Sequence, residues 1–277
     1  MKTLFLSDLD GTLLNSNAEL TEFTKKALNK LIDCGANFSV ATARTFATVC
    51  DMFSGVNLQL PFILMNGVVT YDPVSRSNIS VHTIDNSEAE KVLHCYEKHN
   101  KHPMLYFIHD EYIQIKFTDF DNEHQKAYIS QRDDLRRKVF LKCDDYNLSD
   151  DDKLIYIVGL DKFESSEPLY NEISQKTSLK SMFYRDNYTD CYFLETFNGE
   201  VSKSSGALEL KRMLGFDRII AFGDNLNDIP LFEIADEAYA VSNAHEQLKE
   251  IATGVIGSND EDAVVKYMME RLGVNFE

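Results

Sequence analysis

Two carboxylates two residues apart, Asp8 and Asp10, follow the apolar run Thr3–Ser7 and lead into Gly11-Thr12-Leu13-Leu14. Burying an unpaired Asp is costly, so two of them at the end of a buried strand call for a cation or another compensating group. Gly11 lets the backbone turn sharply at that point. A second acidic pair, Asp224 and Asp228, lies in Gly223-Asp224-Asn225-Leu226-Asn227-Asp228, directly after the apolar run 218–222. Thr42 ends the run 37–41 and is followed by Ala43-Arg44, and Lys203 precedes a helix that leads to the 218–222 run. If these strands are neighbours, one face gathers Asp8, Asp10, Thr42, Lys203, Asp224 and Asp228, because ligands of open α/β sheets bind at the carboxyl ends of the strands.

These residue types suit phosphoryl transfer. A carboxylate can attack phosphorus and form an aspartyl phosphate. A second carboxyl can protonate the leaving alkoxide and later deprotonate water, an effect of about 10²–10⁴-fold. Phosphate monoesters hydrolyse so slowly that enhancements up to about 10²¹ are required, so charge stabilisation must supply much of the rest. Oxygen ligands beside a phosphate suit Mg²⁺. The Lys203 ammonium and the Thr42 hydroxyl would hold the phosphoryl oxygens.

The elements that must position these groups show two rhythms. Near the N-terminus, runs 3–7, 37–41 and 61–65 alternate with helical spacings at 20–34 and 46–53, which predicts βαβ units and a parallel sheet. Asn66-Gly67 then reads as a turn. From about residue 80 the spacing predicts helices at 87–99 and 167–177, strand runs at 104–109, 112–117 and 154–160, and paired runs at 181–184 and 191–195. Asp110-Glu111 would turn a hairpin, and Asp144-Asp145 and 150–152 read as solvated loops. Parallel rhythm returns after about 200, with helices at 204–214, 229–234, 245–252 and 260–272, strands at 218–222 and 237–241, and a last short strand at 255–256. The expected fold is α/β: a Rossmann-like parallel-sheet core from residues 1–82 and 194–277, with an inserted α+β cap domain at 83–193.

Composition bounds the partners. The 277-residue chain carries a net charge of −17, which disfavours nucleic acid and anionic lipid. The same field repels a phosphorylated substrate, so a phosphate site needs local positive charge from Mg²⁺ and Lys203. The five Cys residues are widely spaced and show no C-x-x-C, and no H-E-x-x-H occurs, so zinc has no sequence support. Free thiols and the short apolar run before Asp8 point to the cytoplasm, and no run of about 18 apolar residues predicts a membrane span.

The order D-x-D-G-T-L-L, a strand ending in Thr, a Lys, then G-D-x-x-N-D resembles the haloacid dehalogenase-like hydrolases, and within them the Cof-type phosphatases. The resemblance spans the chain, and the inserted module sits where those enzymes carry a specificity cap. It implies a Mg²⁺-dependent phosphatase, a phosphoric monoester hydrolase acting on small phosphorylated metabolites such as sugar phosphates. In that reading Asp8 is the nucleophile and Asp10 the general acid/base. Thr42 and Lys203 bind phosphate, with Gly11, Ala43, Arg44 and Asn227 lining the phosphate site. Asp224 binds the metal with the Asp8 carboxylate and the Asp10 carbonyl, and Asp228 supports it. Asn227 contacts phosphate or orients Lys203, Asn243 supports the last motif or shapes a loop turn, and Arg185 stands in a cap loop of the kind that sets specificity.

The chain departs from its relatives at Ala43, where Gly is usual, and at Ser204-Ser205-Gly206, where Gly-Ser is usual. Two other readings fit part of the pattern. A phosphosugar mutase would share the nucleophile and cap. A receiver phosphorylated on Asp for regulation would share the carboxylates and Lys, but such domains lack an inserted module and the second acid at Asp10. The identity of the metabolite and the oligomeric state leave no mark in the sequence.

Overall fold

The computed structural model describes residues 1–109, 112–130, 137–149, 151–186 and 189–276. The chain divides into two compact units, Met1–Ser80 with Val201–Glu277, and Val81–Glu200.

The first unit is built on a five-stranded, all-parallel sheet. Its strands are β1 (Thr3–Ser7), β2 (Asn37–Val40), β12 (Arg218–Gly223), β13 (Glu237–Ala240) and β14 (Gly254–Val255), in the order β14-β13-β12-β1-β2. β1 is central, and Leu4, Phe5 and Leu6 are buried, as a strand covered on both faces requires. The chain leaves β1 towards β2 on one side, while β12 and β13 lie on the other. The strand order therefore reverses between β1 and β12, the place where such sheets open a crevice for ligands.

Helices α1 (Glu22–Asp33), α2 (Phe46–Met52), α6 (Lys203–Leu214), α7 (Ile229–Ile234), α8 (Glu246–Ile251) and α9 (Ala263–Leu272) connect or close these strands. The Thr21 hydroxyl accepts from the Thr24 amide at 2.9 Å and starts α1, which buries Ala27, Leu28 and Leu31. The run expected to be a third parallel strand behaves differently. β3 (Phe62–Leu64) meets the chain just past β2 through an isolated parallel bridge, Ala41–Ile63, and pairs antiparallel with β4 (Val69–Asp72), beside β5 (Ser77–Val81). The Met65-Asn66-Gly67 turn folds the chain straight back, so β3 is used by its own hairpin.

The second unit is a six-stranded sheet of order β10-β11-β9-β6-β7-β8, made of β6 (Met104–Ile108), β7 (Ile113–Phe117), β8 (Lys138–Lys142), β9 (Leu154–Lys162), β10 (Lys180–Arg185) and β11 (Cys191–Phe197). Pairing is antiparallel except between β7 and β8, which run parallel. Helices α3 (Asn86–Lys98), α4 (Glu123–Ser130) and α5 (Phe163–Lys176) complete it. Its apolar core joins Ala89, Val92 and Tyr96 of α3 to Leu169 and Ile173 of α5 and to Leu105, Ile157 and Leu194 of the sheet. β6 and β7 pair as a hairpin, and the turn residues Asp110-Glu111 lie outside the described residues, as does Asp150. The expected boundary at 193/194 falls inside β11, whose pairing with β9 holds the strand in this unit as far as Thr196. Among the described residues no helix is long and apolar enough to cross a membrane.

Candidate active site

The carboxyl ends of β1, β2 and β12 are placed by their register. The Asp8 amide donates to the Phe222 carbonyl at 2.9 Å, and the Ala41 amide to the Ser7 carbonyl at 2.9 Å. Asp8, Thr42 and Asp224 thus leave three adjacent strands at one edge. Lys203 arrives from elsewhere, as the first residue of α6. The Ser202 hydroxyl accepts from the Ser205 amide at 3.2 Å, and the Ser205 hydroxyl receives the Ser202 amide at 2.9 Å. This reciprocal cap fixes where the helix starts and where Lys203 points. The unusual Ser205 therefore has a structural task.

Lys203 Nζ donates to Asp228 Oδ1 at 2.7 Å and stands 2.8 Å from Asp8 Oδ1. All three side chains are shut away from solvent, at 2% exposure for Lys203, 5% for Asp8 and 0% for Asp228. Asp228 Oδ2 receives the amides of Asp224 and Asn225, each at 3.1 Å. Thr12 donates its hydroxyl to Asp224 Oδ1 at 2.9 Å. Gly11 has φ +73°, and a Cβ there would stand 2.5 Å from Asp224 Oδ2, so side-chain-free backbone is required at this approach.

The electrostatics of this cluster are unbalanced. Burial pushes the Asp8 carboxyl well above the usual carboxylate range, with the Lys203 charge opposing and Asp228 and Asp224 adding to it. Burial and then the Asp228 charge push Asp224 up to about 6. Burial works against the Lys203 charge, but Asp228 and Asp8 outweigh it and hold the ammonium above its ordinary value. One lysine faces three carboxylates. Oxygens of Asp8, Asp224 and Asp228 lie within 4.8 Å of one another and could hold a metal ion. An all-carboxylate donor set with surplus negative charge fits a hard divalent cation.

The other expected residues are placed unevenly. Thr42 is fully buried; its amide donates to Ile63 and its hydroxyl accepts from the Arg44 amide at 3.2 Å. Ala43 is exposed beside it. Arg44 grips Asp10 through two hydrogen bonds, Nε to Oδ2 at 2.7 Å and Nη2 to Oδ1 at 2.5 Å. The Asp10 carboxylate is thus turned to a half-exposed ion pair and is not in the buried carboxylate cluster. Asn227 Oδ1 is buried and has no hydrogen-bond partner among the described residues, so the expected contact orienting Lys203 is not made here. Arg185 ends β10 in the second unit and is exposed.

Asn243 supports the first motif directly, its Nδ2 donating to the Gly11 carbonyl at 2.8 Å. Two supports escaped the sequence reading. Asn259 donates its amide to Asn243 Oδ1 at 3.0 Å and its side chain to the Leu14 carbonyl at 2.9 Å. Thr12, a member of the first motif, is also the partner of Asp224, which its spacing does not reveal. Nothing in the spacing flags Asn259; the only signal is a polar side chain in a loop that returns to the first motif.

A family model described as haloacid dehalogenase-like hydrolase matches residues 5–268. Phosphatase YwpJ of Bacillus subtilis is 28% identical over 97% of this chain and 99% of its own length. The 5-amino-6-(5-phospho-D-ribitylamino)uracil phosphatase YitU of the same organism is 24% identical, covering 96% of each chain. A solved Thermotoga maritima structure superposes with a TM-score of 0.77 at 25% identity, over 100% of this chain and 99% of that one.

Proposed function

This chain belongs to the haloacid dehalogenase-like hydrolases and is a phosphoric monoester hydrolase, and from that premise we propose that it hydrolyses small phosphorylated metabolites, sugar phosphates or similar, through an aspartyl phosphate on Asp8. The observation that carries this is the buried set Asp8, Lys203 and Asp228 with the half-buried Asp224 beside it, Lys203 standing 2.8 Å from Asp8 and 2.7 Å from Asp228. The Bacillus subtilis relative named for a phosphoribitylamino-uracil supports a substrate whose phosphate sits on a sugar-like alcohol.

In the proposed reaction an Asp8 carboxylate oxygen attacks phosphorus as the ester P–O bond breaks. Asp10 gives its proton to the leaving alkoxide. Water then attacks phosphorus, Asp10 takes the proton, and the bond to Asp8 breaks to release inorganic phosphate. Asp10 must leave its pair with Arg44 and take a proton from solvent before it can protonate the leaving oxygen, so Arg44 holds the resting carboxylate. Lys203 and Thr42 bind phosphoryl oxygens, and Asn227 offers its unpartnered Oδ1 to a donor there. Asp8, Asp224, the Asp10 carbonyl and, in support, Asp228 would hold Mg²⁺, which supplies charge neutralisation for nucleophile and phosphoryl group alike.

The test is phosphate release from a panel of phosphorylated metabolites with Mg²⁺. Release should stop with EDTA, return with added Mg²⁺, and be lost in Asp8→Asn. Conversion of a sugar phosphate to its isomer without phosphate release would make the protein a mutase and overturn the proposal.

A further inference from the structure

A second group of metal-ligating side chains lies in the other unit. His124, Asp190 and Cys191 each present one donor atom, and the three atoms lie within 4.8 Å of one another. His124 Nε2 is 3.5 Å from Asp190 Oδ1. Two ligands of a tetrahedral ion, each about 2.1 Å from it, stand about 3.4 Å apart, so this pair already has the spacing that zinc imposes. The donors are an imidazole, a carboxylate and a sulfur. That mixture suits a borderline transition ion and not Mg²⁺, which takes oxygen.

The framework holds these groups in place. Asn122 Nδ2 donates to the Leu160 carbonyl at 2.8 Å, and the Gln125 backbone amide donates to Asn122 Oδ1 at 2.9 Å. Together they tie the start of α4, and with it His124, to the end of β9. Cys191 pairs with Lys162 of β9 in register, and its carbonyl receives the Asp186 amide at 2.9 Å. Cys191 is fully buried, while His124 and Asp190 are open to solvent, which leaves a free approach for an ion and a water. Lys162 stands 3.9 Å from Asp190 Oδ2, the other oxygen, so the oxygen facing His124 remains available.

We propose that His124, Asp190 and Cys191 form a zinc-type metal site with a water in the fourth position, clipping α4 to the start of β11. The thiol binds as thiolate and releases its proton to solvent. Sequence spacing does not announce the site, because one ligand comes from a helix and the other two from the first residue of β11 and the residue before it, far along the chain.

The test uses Co²⁺ as a spectroscopic stand-in, titrated into the full chain after chelator treatment. The carboxylate cluster of Asp8, Asp224 and Asp228 contains no sulfur, so a thiolate-to-cobalt charge-transfer band reports only a cysteine site. The expected result is such a band saturating at one Co²⁺ per chain, bleached by one equivalent of Zn²⁺ and absent in Cys191→Ser. Because Cys191 is buried and its variant could fail to fold, the exposed His124→Ala is the second arm, in which Co²⁺ affinity should fall at least tenfold. No band in the parent chain, or one unchanged in His124→Ala, would overturn the proposal.

Discussion

Asp8 is a buried carboxylate held beside a buried lysine, the buried Asp228 and the half-buried Asp224, and its chemistry follows from that confinement. Asp8→Asn should reduce phosphate release by about 10⁴-fold or more, since an amide cannot carry the phosphoryl group. Asp10→Asn should lower kcat by about 10²–10⁴-fold while leaving binding of inorganic phosphate unchanged, which separates acid–base work from charge binding. Asp224 gives a stability prediction with a definite sign. Its carboxyl is raised from 3.8 to about 6, so the folded state keeps a proton that the unfolded state has lost. Stability therefore falls as pH rises from about 4 to about 6, and the loss is complete above that. In EDTA at pH 7, Asp224→Asn should be more stable than the parent by on the order of 1–3 kcal/mol in urea unfolding, with no gain at pH 4. A less stable variant at pH 7 contradicts the assignment.

At this scale the sequence was informative for residues whose type and spacing carry chemistry. Asp8, Asp224, Asp228 and Lys203 meet as the motifs imply. The Asp10–Arg44 pair was not legible, because the direction a half-exposed carboxylate takes depends on a neighbour 34 residues away. Asn259 was invisible for a related reason: its value lies in two loop contacts that no periodicity encodes.

Elements decide whether Lys203 reaches Asp8. The turn after β3 abuts the cap of α6, where Gly67 has φ +98° and a Cβ would stand 2.1 Å from the Ser202 carbonyl oxygen. Gly67→Ala must strain the turn and displace the residue before Lys203. It should destabilise the protein by about 2 kcal/mol or more and lower kcat with it, measured by urea unfolding and phosphate release on the same preparation. Unchanged kcat in a folded variant would show that Lys203 is positioned by something other than this cap. Strands buried on both faces, such as β1 and β12, were readable as apolar runs. The β4–β5 hairpin, α4 and β8 were not. β5 and β8 are edge strands with exposed positions and mixed polarity, and α4 buries only Gln125 and Ile129. Each takes its structure from tertiary contact more than from pattern, as Gln125 does by bonding the His102 carbonyl at 2.8 Å.

Over the whole molecule, a charge of −17 surrounds a site that must admit a dianion. Its field slows the approach of a phosphate ester, and salt screens it. Raising ionic strength from about 10 mM to about 150 mM should therefore increase kcat/KM a few-fold at saturating Mg²⁺, with kcat nearly unchanged. The α/β class and an insertion between the second and third motifs could be read from the change of rhythm, whereas the extent of β11 could not, because its last residues are assigned by pairing with β9. The central claim is that phosphorus is transferred twice, first to Asp8 and then to water. The stereochemical course of hydrolysis, followed with a phosphorothioate ester made chiral by two oxygen isotopes and hydrolysed in water carrying the third, tests it most directly. Two in-line displacements predict retention of configuration at phosphorus; inversion would mean that water attacks the substrate directly and that Asp8 is not the nucleophile.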